Sequence, residues 1–522
     1  MIDCIIAVVL SWCVVALCHR LLTLIQLDGY VLRKTKKTDD IVARLLFCGV
    51  ASCIVTYIVY LTAILSVLQN LEYIVPICMA TLAIYHAVDS ARCGARQTLK
   101  LTARARRLVG CFSLLTSIVF VGAVLLGSWI RLEGLNLTYV LCPFVFFVTP
   151  SILKFCLVLL TPLENAIKRR YVVKATRALD SNAELVKIAI TGSYGKTSVK
   201  RFLTTILSQK FRTFCTPHNY NTPMGICLSV KQMPADTQIF VVEMGARYKG
   251  DIAELCNITK PDLGVLTGIE KQHLESFGTI DNIIDTKCEL VEYLGDKPCF
   301  FGESRYLDRC LVRSINPIVV GAGGYVQAKN VECDSEGSSF DLCIGDEKIR
   351  VKTRLIGKHN IQNILLAVAV AHHLGMSISQ IAKGIDEIKV VEHRLQVSKL
   401  YGGVTVIDDS YNSNKKGAMY AIDTLEFFED KKKIVMSQGL VELGGESEET
   451  NIELGGYMAQ KVDVAILIGV NAKYLMQGLV EKGMKLRNIY VVKDLEQAQN
   501  VLKKIVDKNS VVLIQNDLTD NY

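Results

Sequence analysis

Apolar positions along this chain fall into two regimes. Up to about residue 160 they form long unbroken runs; beyond it they are interleaved with polar positions at strand and helix spacing. The runs are Ile5–Cys18, Leu45–Leu68, Tyr73–Val88, Leu108–Ile130 and Leu137–Leu160. A membrane-spanning helix needs roughly 20 apolar residues. The second and fourth runs reach that length, the first and third are short, and the fifth carries Lys154 and Pro143. From Val186 to about Lys389, short β-branched runs alternate with helical stretches, which predicts a mainly parallel sheet covered on both faces. Val404–Asp408, Lys433–Met436, Val462–Ile468, Ile489–Val492 and Val511–Gln515 predict the strands of a second α/β unit, with the boundary near Val390–Glu392.

Charge settles how many of the runs are read as spans. Arg20, Arg33, Lys34, Lys36, Lys37 and Arg44 lie between the first two runs, and Arg92, Arg96, Lys100, Arg104, Arg106 and Arg107 between the third and fourth. Lys168, Arg169 and Arg170 follow the fifth, whereas the alternate loops carry no Lys or Arg (Gln69–Glu72) or only Arg131. Basic loops stay on the cytoplasmic side, so the pattern predicts five spans, an outside N-terminus and cytosolic domains after Leu160 in the inner or plasma membrane. Four spans plus one interfacial helix is the alternative. The expected domains are 1–160, transmembrane; 161–390, nucleotide-binding; and 391–522, a further α/β domain. The stretches "QLDGYVLRKTKK" and "RQTLKLTARARRL" either set topology alone or also hold an anionic head group.

The net charge of +8 is modest and sits beside apolar runs, so it speaks for membrane topology and against a nucleic-acid partner. The 18 cysteines include no C-x-x-C pair, which argues against a zinc ribbon and for free thiols in a reducing compartment. The first run lacks a basic leader and a small-residue cleavage site, so no cleavable signal peptide is expected.

The first candidate chemistry is "VKIAITGSYGKTSVKRFL", a strand, a glycine loop and a helix. Such a unit points backbone N–H groups and a helix N-terminus at an anion. Gly192, Ser193, Gly195, Lys196, Thr197 and Ser198 would cradle phosphates, with Lys196 on the β/γ-phosphates and Thr197 on Mg²⁺. The usual loop has four residues between its glycines; this one has two.

Further strings follow in order: "TPHNYNTPMGICLSV", "IFVVEMGARYKGDI", "DLGVLTGIEKQHLESFGTIDNIIDTKCEL", "GKHNIQNILLAVAVAHHLG", "VEHRLQV", "VIDDSYNSN" and "SQGLVELGG". In this order and spacing, from roughly Leu163 to the C-terminus, the chain resembles the Mur ligase family, nearest its D-alanyl-D-alanine-adding (MurF-type) members. The resemblance implies a P-loop-type parallel-sheet ATPase domain followed by a Rossmann-like C-terminal domain; the apolar runs ahead of them predict an N-terminal α-helical transmembrane bundle. It also implies ATP-driven amide synthesis through an acyl phosphate.

Within the resemblance, Lys196 and Thr197 match the phosphate and first-Mg²⁺ residues, and Glu243 and His273 the ligands of a second Mg²⁺. Lys287 falls where many members carry a carbamylated lysine. Asn360 and Asn363 match adenine-side asparagines, Arg394 the cation that meets the γ-phosphate, and Asp409 the ribose-side carboxylate, a role Asp408 could share. Lys196, Lys287, His273 and Arg394 are the expected catalytic group.

The pattern also departs from the family. The usual N-A-N-P reads Asn412-Ser413-Asn414-Lys415, N-x-N-N reads Asn219-Tyr220-Asn221-Thr222, and Asn451 stands where a His is common. The domain that holds the UDP end of the precursor is replaced by the apolar runs. The reading favoured by that replacement is a ligase that joins an amino acid or dipeptide amine to a lipid-linked carboxylate acceptor. The alternatives are a membrane-localised ligase acting on a soluble UDP-linked precursor and a non-catalytic ATP-binding sensor. An ATP-driven transporter is disfavoured because the chain has no ABC-type signature.

Overall fold

A computed structural model of the chain describes residues 14–15, 18–27, 30, 99–129, 138–399, 403–411 and 414–515. Two compact units meet in sequence between Arg169 and Arg170.

In the N-terminal unit the described elements are α1 (His19–Leu27), α2 (Ala103–Trp129) and α3 (Thr138–Asp180). The fourth and fifth apolar runs fall on α2 and α3. The second and third runs, and most of the first, lie outside the described residues, so the five-span expectation reduces to two candidate spans. These are Ala103–Gly127 and Val148–Asp180, with mean hydropathies of 2.4 and 1.3. Only 28% and 11% of their most apolar windows is buried, whereas the core helix of a soluble domain would be mostly covered. Leu114, Ile118, Leu125, Phe155 and Val158 are all exposed.

Beside this apolar surface, the described parts of the two basic stretches come together. Gln26 Nε2 donates to the Lys100 carbonyl at 2.7 Å, and Lys100 N–H donates back to Gln26 Oε1 at 2.9 Å. The Arg104 guanidinium lies 4.1 Å from the Tyr30 ring centroid. Arg107 forms a two-pronged pair with Glu164 at 2.6 and 2.9 Å, and Arg104 approaches the same carboxylate at 3.7 Å. Two of the arginines considered for a head group therefore already share a carboxylate.

The second unit begins with a six-stranded parallel sheet. Its strands are β1 (Val186–Thr191), β2 (Thr213–Cys215), β3 (Ile239–Glu243), β4 (Leu263–Leu266), β5 (Cys299–Phe301) and β6 (Pro317–Val319), in the order β2-β3-β1-β4-β5-β6. Alternate residues face opposite sides. Ile188, Ile190, Val241 and Val265 pack toward α4 (Lys196–Leu207), α10 (Lys358–His373) and α11 (Ile378–Asp386). Ala189, Phe240, Val242 and Leu266 face the other core, with α5 (Pro223–Gln232), α6 (Asp251–Thr259), α7 (Leu274–Phe277), α8 (Ile280–Leu294) and α9 (Asp308–Leu311). Ala175 and Leu179, near the end of α3, belong to the same core.

Before α10 the chain adds an antiparallel sheet of β7 (Val326–Cys333), β8 (Ser338–Ile344) and β9 (Glu347–Thr353). The hydrophobic pattern did not announce it, because β7 and β9 are polar and largely open to water.

The second six-stranded sheet contains β10 (Gln396–Lys399), β11 (Thr405–Asp409), β12 (Lys432–Ser437), β13 (Val464–Ile468), β14 (Ile489–Val492) and β15 (Ser510–Gln515). Its order is β10-β11-β15-β12-β13-β14, parallel except for β10. Its helices are α12 (Lys415–Asp423), α13 (Ser447–Met458), α14 (Ala472–Glu481) and α15 (Leu495–Ile505). The five expected strands of this unit are all present within two residues; the edge strand β10 is an addition.

The expectation of free thiols fails for one pair. Cys288 on α8 and Cys310 on α9 form a disulfide, with Cα atoms 5.3 Å apart. The described cysteines outside this pair form none.

Candidate active site

The glycine loop joins β1 to α4 as the sequence predicted. Gly192 has φ +146°, and a Cβ there would lie 2.1 Å from Thr267 Oγ1. Gly195 has φ +75°, and a Cβ there would lie 2.6 Å from Asn363 Oδ1. Both glycines are therefore required by close approach as well as by backbone angle. Ser193 fixes the loop from the far side: its N–H donates to the Gly268 carbonyl at 2.7 Å and its hydroxyl to the Glu270 carbonyl at 3.0 Å. No side chain caps α4, so its first N–H groups are available to an anion.

The loop borders a solvent-open cavity. Thr197, Ser198, Asn360 and Asn363 line it from the first α/β domain, and Arg394 and Asp409 from the second. Burial pushes the Asp409 carboxyl up to about 7 against the opposing charge of Arg394, and its Oδ1 accepts the Leu395 N–H at 3.3 Å. Asp408 is not among the lining residues: it accepts from Ser410 N–H at 3.0 Å and lies 2.8 Å from His393 Nδ1. Asp409 alone of the pair lines the cavity. Asn360 spends one amide donor on the Ile356 carbonyl at 2.9 Å, which fixes its orientation.

Several lining residues were not singled out from the sequence, His359 and Tyr420 among them. His359 and Tyr420 stack with ring centroids 5.5 Å apart and planes 12° from parallel. Burial, helped by Arg394, lowers the His359 imidazole to about 4, so it is neutral at ordinary pH. A planar pair beside two asparagines suits a purine base.

On the other side of Thr197 lies Glu243, at the end of β3. Thr197 Oγ1 donates to Glu243 Oε2 at 3.0 Å, Lys200 Nζ lies 3.0 Å from the same oxygen, and Asn221 Nδ2 donates to Oε1 at 3.2 Å. Burial alone would raise the Glu243 carboxyl, but Lys200 and Lys196 outweigh it and hold the group below its ordinary range. Lys196 itself donates to the Gly192 carbonyl at 2.8 Å; burial lowers it, Glu243 opposes, and Arg394 adds to the lowering.

Glu243 is thus an ionised carboxylate beside a threonine hydroxyl, a donor set that fits Mg²⁺. Among the described residues no three His, Cys, Asp or Glu side chains gather into a metal cage. His273 is hydrogen-bonded at Nδ1 to the Glu442 carboxylate. Burial lowers its imidazole although Glu442 opposes, so the ring is neutral and Nε2 can act as a ligand.

Lys287 lies on α8 and is 3% exposed. Burial, reinforced by the charge of Lys196, brings its amine down to about 7. An ordinary solvated helix lysine would show neither feature.

Comparison with known proteins bears on this arrangement directly. Residues 190–371 match the Mur ligase middle domain and residues 393–515 the Mur ligase glutamate ligase domain. The chain belongs to the Mur ligase family. It is 28% identical over 341 residues to the UDP-N-acetylmuramoyl-tripeptide–D-alanyl-D-alanine ligase of Bacillus subtilis, covering 63% of this chain and 72% of that one. Against the Escherichia coli enzyme of the same name the identity is 28%, over 54% of this chain and 64% of its relative. Among solved structures, MurF from Acinetobacter baumannii aligns with a TM-score of 0.63 at 25% identity, covering 68% of this chain and 78% of that one. The Thermotoga maritima MurF in complex with ADP aligns at 0.60 with 27% identity, over 67% and 80%. The chain is a MurF-like, ATP-dependent ligase of the Mur type with Mg²⁺ as metal.

Set against that family, the sequence strings supplied Lys196, Thr197, Glu243, Asn360, Asn363, Arg394 and Asp409, which the fold brings to the loop and its cavity. His359 stood inside the quoted "GKHN" and Lys200 inside "GKTSVK", so a signal for both was present. Glu442 likewise stood inside the quoted "SQGLVELGG", but its pairing with His273 gave no local signal, because the two lie 169 residues apart in sequence. Asn412 and Ser413, in the altered N-A-N-P string, lie outside the described residues.

Proposed function

We propose that the chain joins the terminal carboxylate of a UDP-linked muramoyl peptide to the amine of a D-alanyl-D-alanine-type donor, driven by ATP. The observation that carries this reading is the convergence of Lys196, the open N-terminus of α4 and the Thr197–Glu243 pair with Arg394 and Asp409 of the other domain. The names of the relatives supply the substrate class.

In the first step a carboxylate oxygen forms a bond to the γ-phosphorus and the bond to ADP breaks. Charge crowds around the transferred group, so positioned cations matter more than a nucleophilic side chain. Lys196 and the α4 N–H groups face the phosphoryl oxygens, and Arg394 adds a charge from the second domain. Mg²⁺, held by Thr197, Glu243 and His273, would supply further positive charge there. In the second step the donor nitrogen bonds to the acyl carbon, phosphate departs and the nitrogen loses a proton. Lys287, about half of it neutral near pH 7, is able to take up CO₂ as a carbamate, which would turn a buried amine into an anionic side chain. The test is product formation by Lys196→Ala, expected to fall about 100-fold or more, the usual scale for losing a preorganised charge contact. Turnover near that of the wild type would remove this reading of the loop.

A second reading, a lipid-linked acceptor, is favoured by one feature: α2 and α3 carry open apolar surface, and the residues ahead of the middle domain are apolar runs. On this reading both helices span the membrane and the catalytic domains are cytosolic. A protein beginning at Arg170 should then bind ADP as the full chain does, yet lose transfer to a lipid-linked acceptor in vesicles. If it keeps the full rate on a soluble UDP-linked acceptor, the helices act only as a tether and the second reading fails.

A further inference from the structure

We propose that Glu442, on the glutamate ligase domain, is the positioning residue that orients His273 for a divalent cation, so that the middle domain's metal site is completed by its neighbour. The inference rests on the Mg²⁺ reading given above.

The two residues are held against each other from both sides. His273 has φ +55° and Glu442 φ +60°, a left-handed backbone that costs a residue with a side chain of order 1 kcal/mol or more and persists only where its surroundings enforce it. For Glu442 the enforcement is visible. Asn451, fully buried, accepts the Leu440 N–H at 2.7 Å and donates to the Leu440 carbonyl at 3.0 Å and the Ser447 carbonyl at 2.7 Å. Asn471 donates to the same Leu440 carbonyl at 2.9 Å. Gly439 fits with φ +73° where a Cβ would come within 2.5 Å of Asn451 Oδ1. Asn451 thus braces the loop that presents Glu442. On the partner side, Glu275 N–H donates to the Glu442 carbonyl at 3.3 Å, and Arg247 lies 3.9 Å from the carboxylate.

The hydrogen bond is at Nδ1. A carboxylate that accepts from Nδ1–H fixes the tautomer and the ring plane, leaving the Nε2 lone pair for a metal, and such outer partners commonly hold metal-binding histidines in this way. The competing account is a tether between domains, and a separate contact offers a control for it: Lys271 Nζ pairs with Glu446 at 2.7 Å in the same loop region.

The experiment measures Mn²⁺ binding by electron paramagnetic resonance in the full-length protein with ADP and no acceptor, so that no turnover enters the readout. Glu442→Ala should weaken Mn²⁺ binding about 10- to 100-fold, the usual loss when such a partner is removed. Glu442→Gln, whose amide oxygen still accepts the Nδ1 proton, should bind Mn²⁺ nearly as the wild type does, and Glu446→Gln should be unchanged. Wild-type affinity in Glu442→Ala overturns the proposal. Equal loss in Glu442→Gln also overturns it, because the charge and not the orientation would then matter. Equal loss in Glu446→Gln overturns it in favour of tethering. Absence of Mn²⁺ binding by the wild type would overturn the metal reading itself.

Discussion

Lys200 and Lys287 are both buried, yet they have different surroundings. Lys200 has a carboxylate partner, Glu243, 3.0 Å away and donates to the His218 carbonyl at 2.6 Å. Lys287 has the positive charge of Lys196 added to the effect of burial, and its amine sits near 7. The sign follows from the direction of the shift. The folded-state value lies below the ordinary 10.5, so the side chain sheds its proton as pH rises through about 7, while a surface lysine stays protonated. Only a neutral amine combines with CO₂, giving a carbamate and a proton. With ¹³C-bicarbonate, one carbamate resonance should therefore grow between pH 6 and 8 (a window of about one unit either side of that value), and it should be missing in Lys287→Ala. A resonance that survives this substitution, or that grows only in the surface-lysine range, would rule out carbamylation of Lys287.

The disulfide acts at the scale of elements, tying α8, which carries Lys287, to the short helix α9. It closes a loop of 22 residues, for which the chain-entropy account gives about 3 kcal/mol of stabilisation. Reductant should accordingly lower the unfolding temperature of the wild type and leave that of a Cys288→Ser, Cys310→Ser double variant unchanged, as followed by calorimetry. Equal effects of reductant on both would show that the bridge carries no stability. No spacing rule pointed to this pair, because 18 scattered cysteines allow many pairings and only the packing of α8 against α9 selects one. The same limit explains the other gaps in the sequence reading. Strands buried on both faces, such as β1 and β3, were legible as β-branched runs, and Gly192 to Thr197 as a loop. The polar hairpin strands β7 and β9 lacked that contrast. The His359–Tyr420 stack and the Glu442–His273 pair depend on folding segments from separate domains together.

At the scale of the whole molecule, the catalytic unit places its nucleotide cavity between two α/β sheets. Arg394 and Asp409 come from the second domain and the phosphate loop from the first. Ahead of this unit stand helices whose open apolar surface is suited to lipid. The account stands or falls on whether that cavity activates a carboxylate with ATP. The most direct measurement gives the purified full-length protein ATP, Mg²⁺, a D-alanyl-D-alanine donor and a UDP-linked muramoyl tripeptide labelled with ¹⁸O in its terminal carboxylate. The account predicts amide product and phosphate in equal amounts, with one ¹⁸O carried into each phosphate, because the oxygen bonded to phosphorus in the first step leaves with it in the second. Phosphate released without label, or ATP consumed without amide formed, would contradict it.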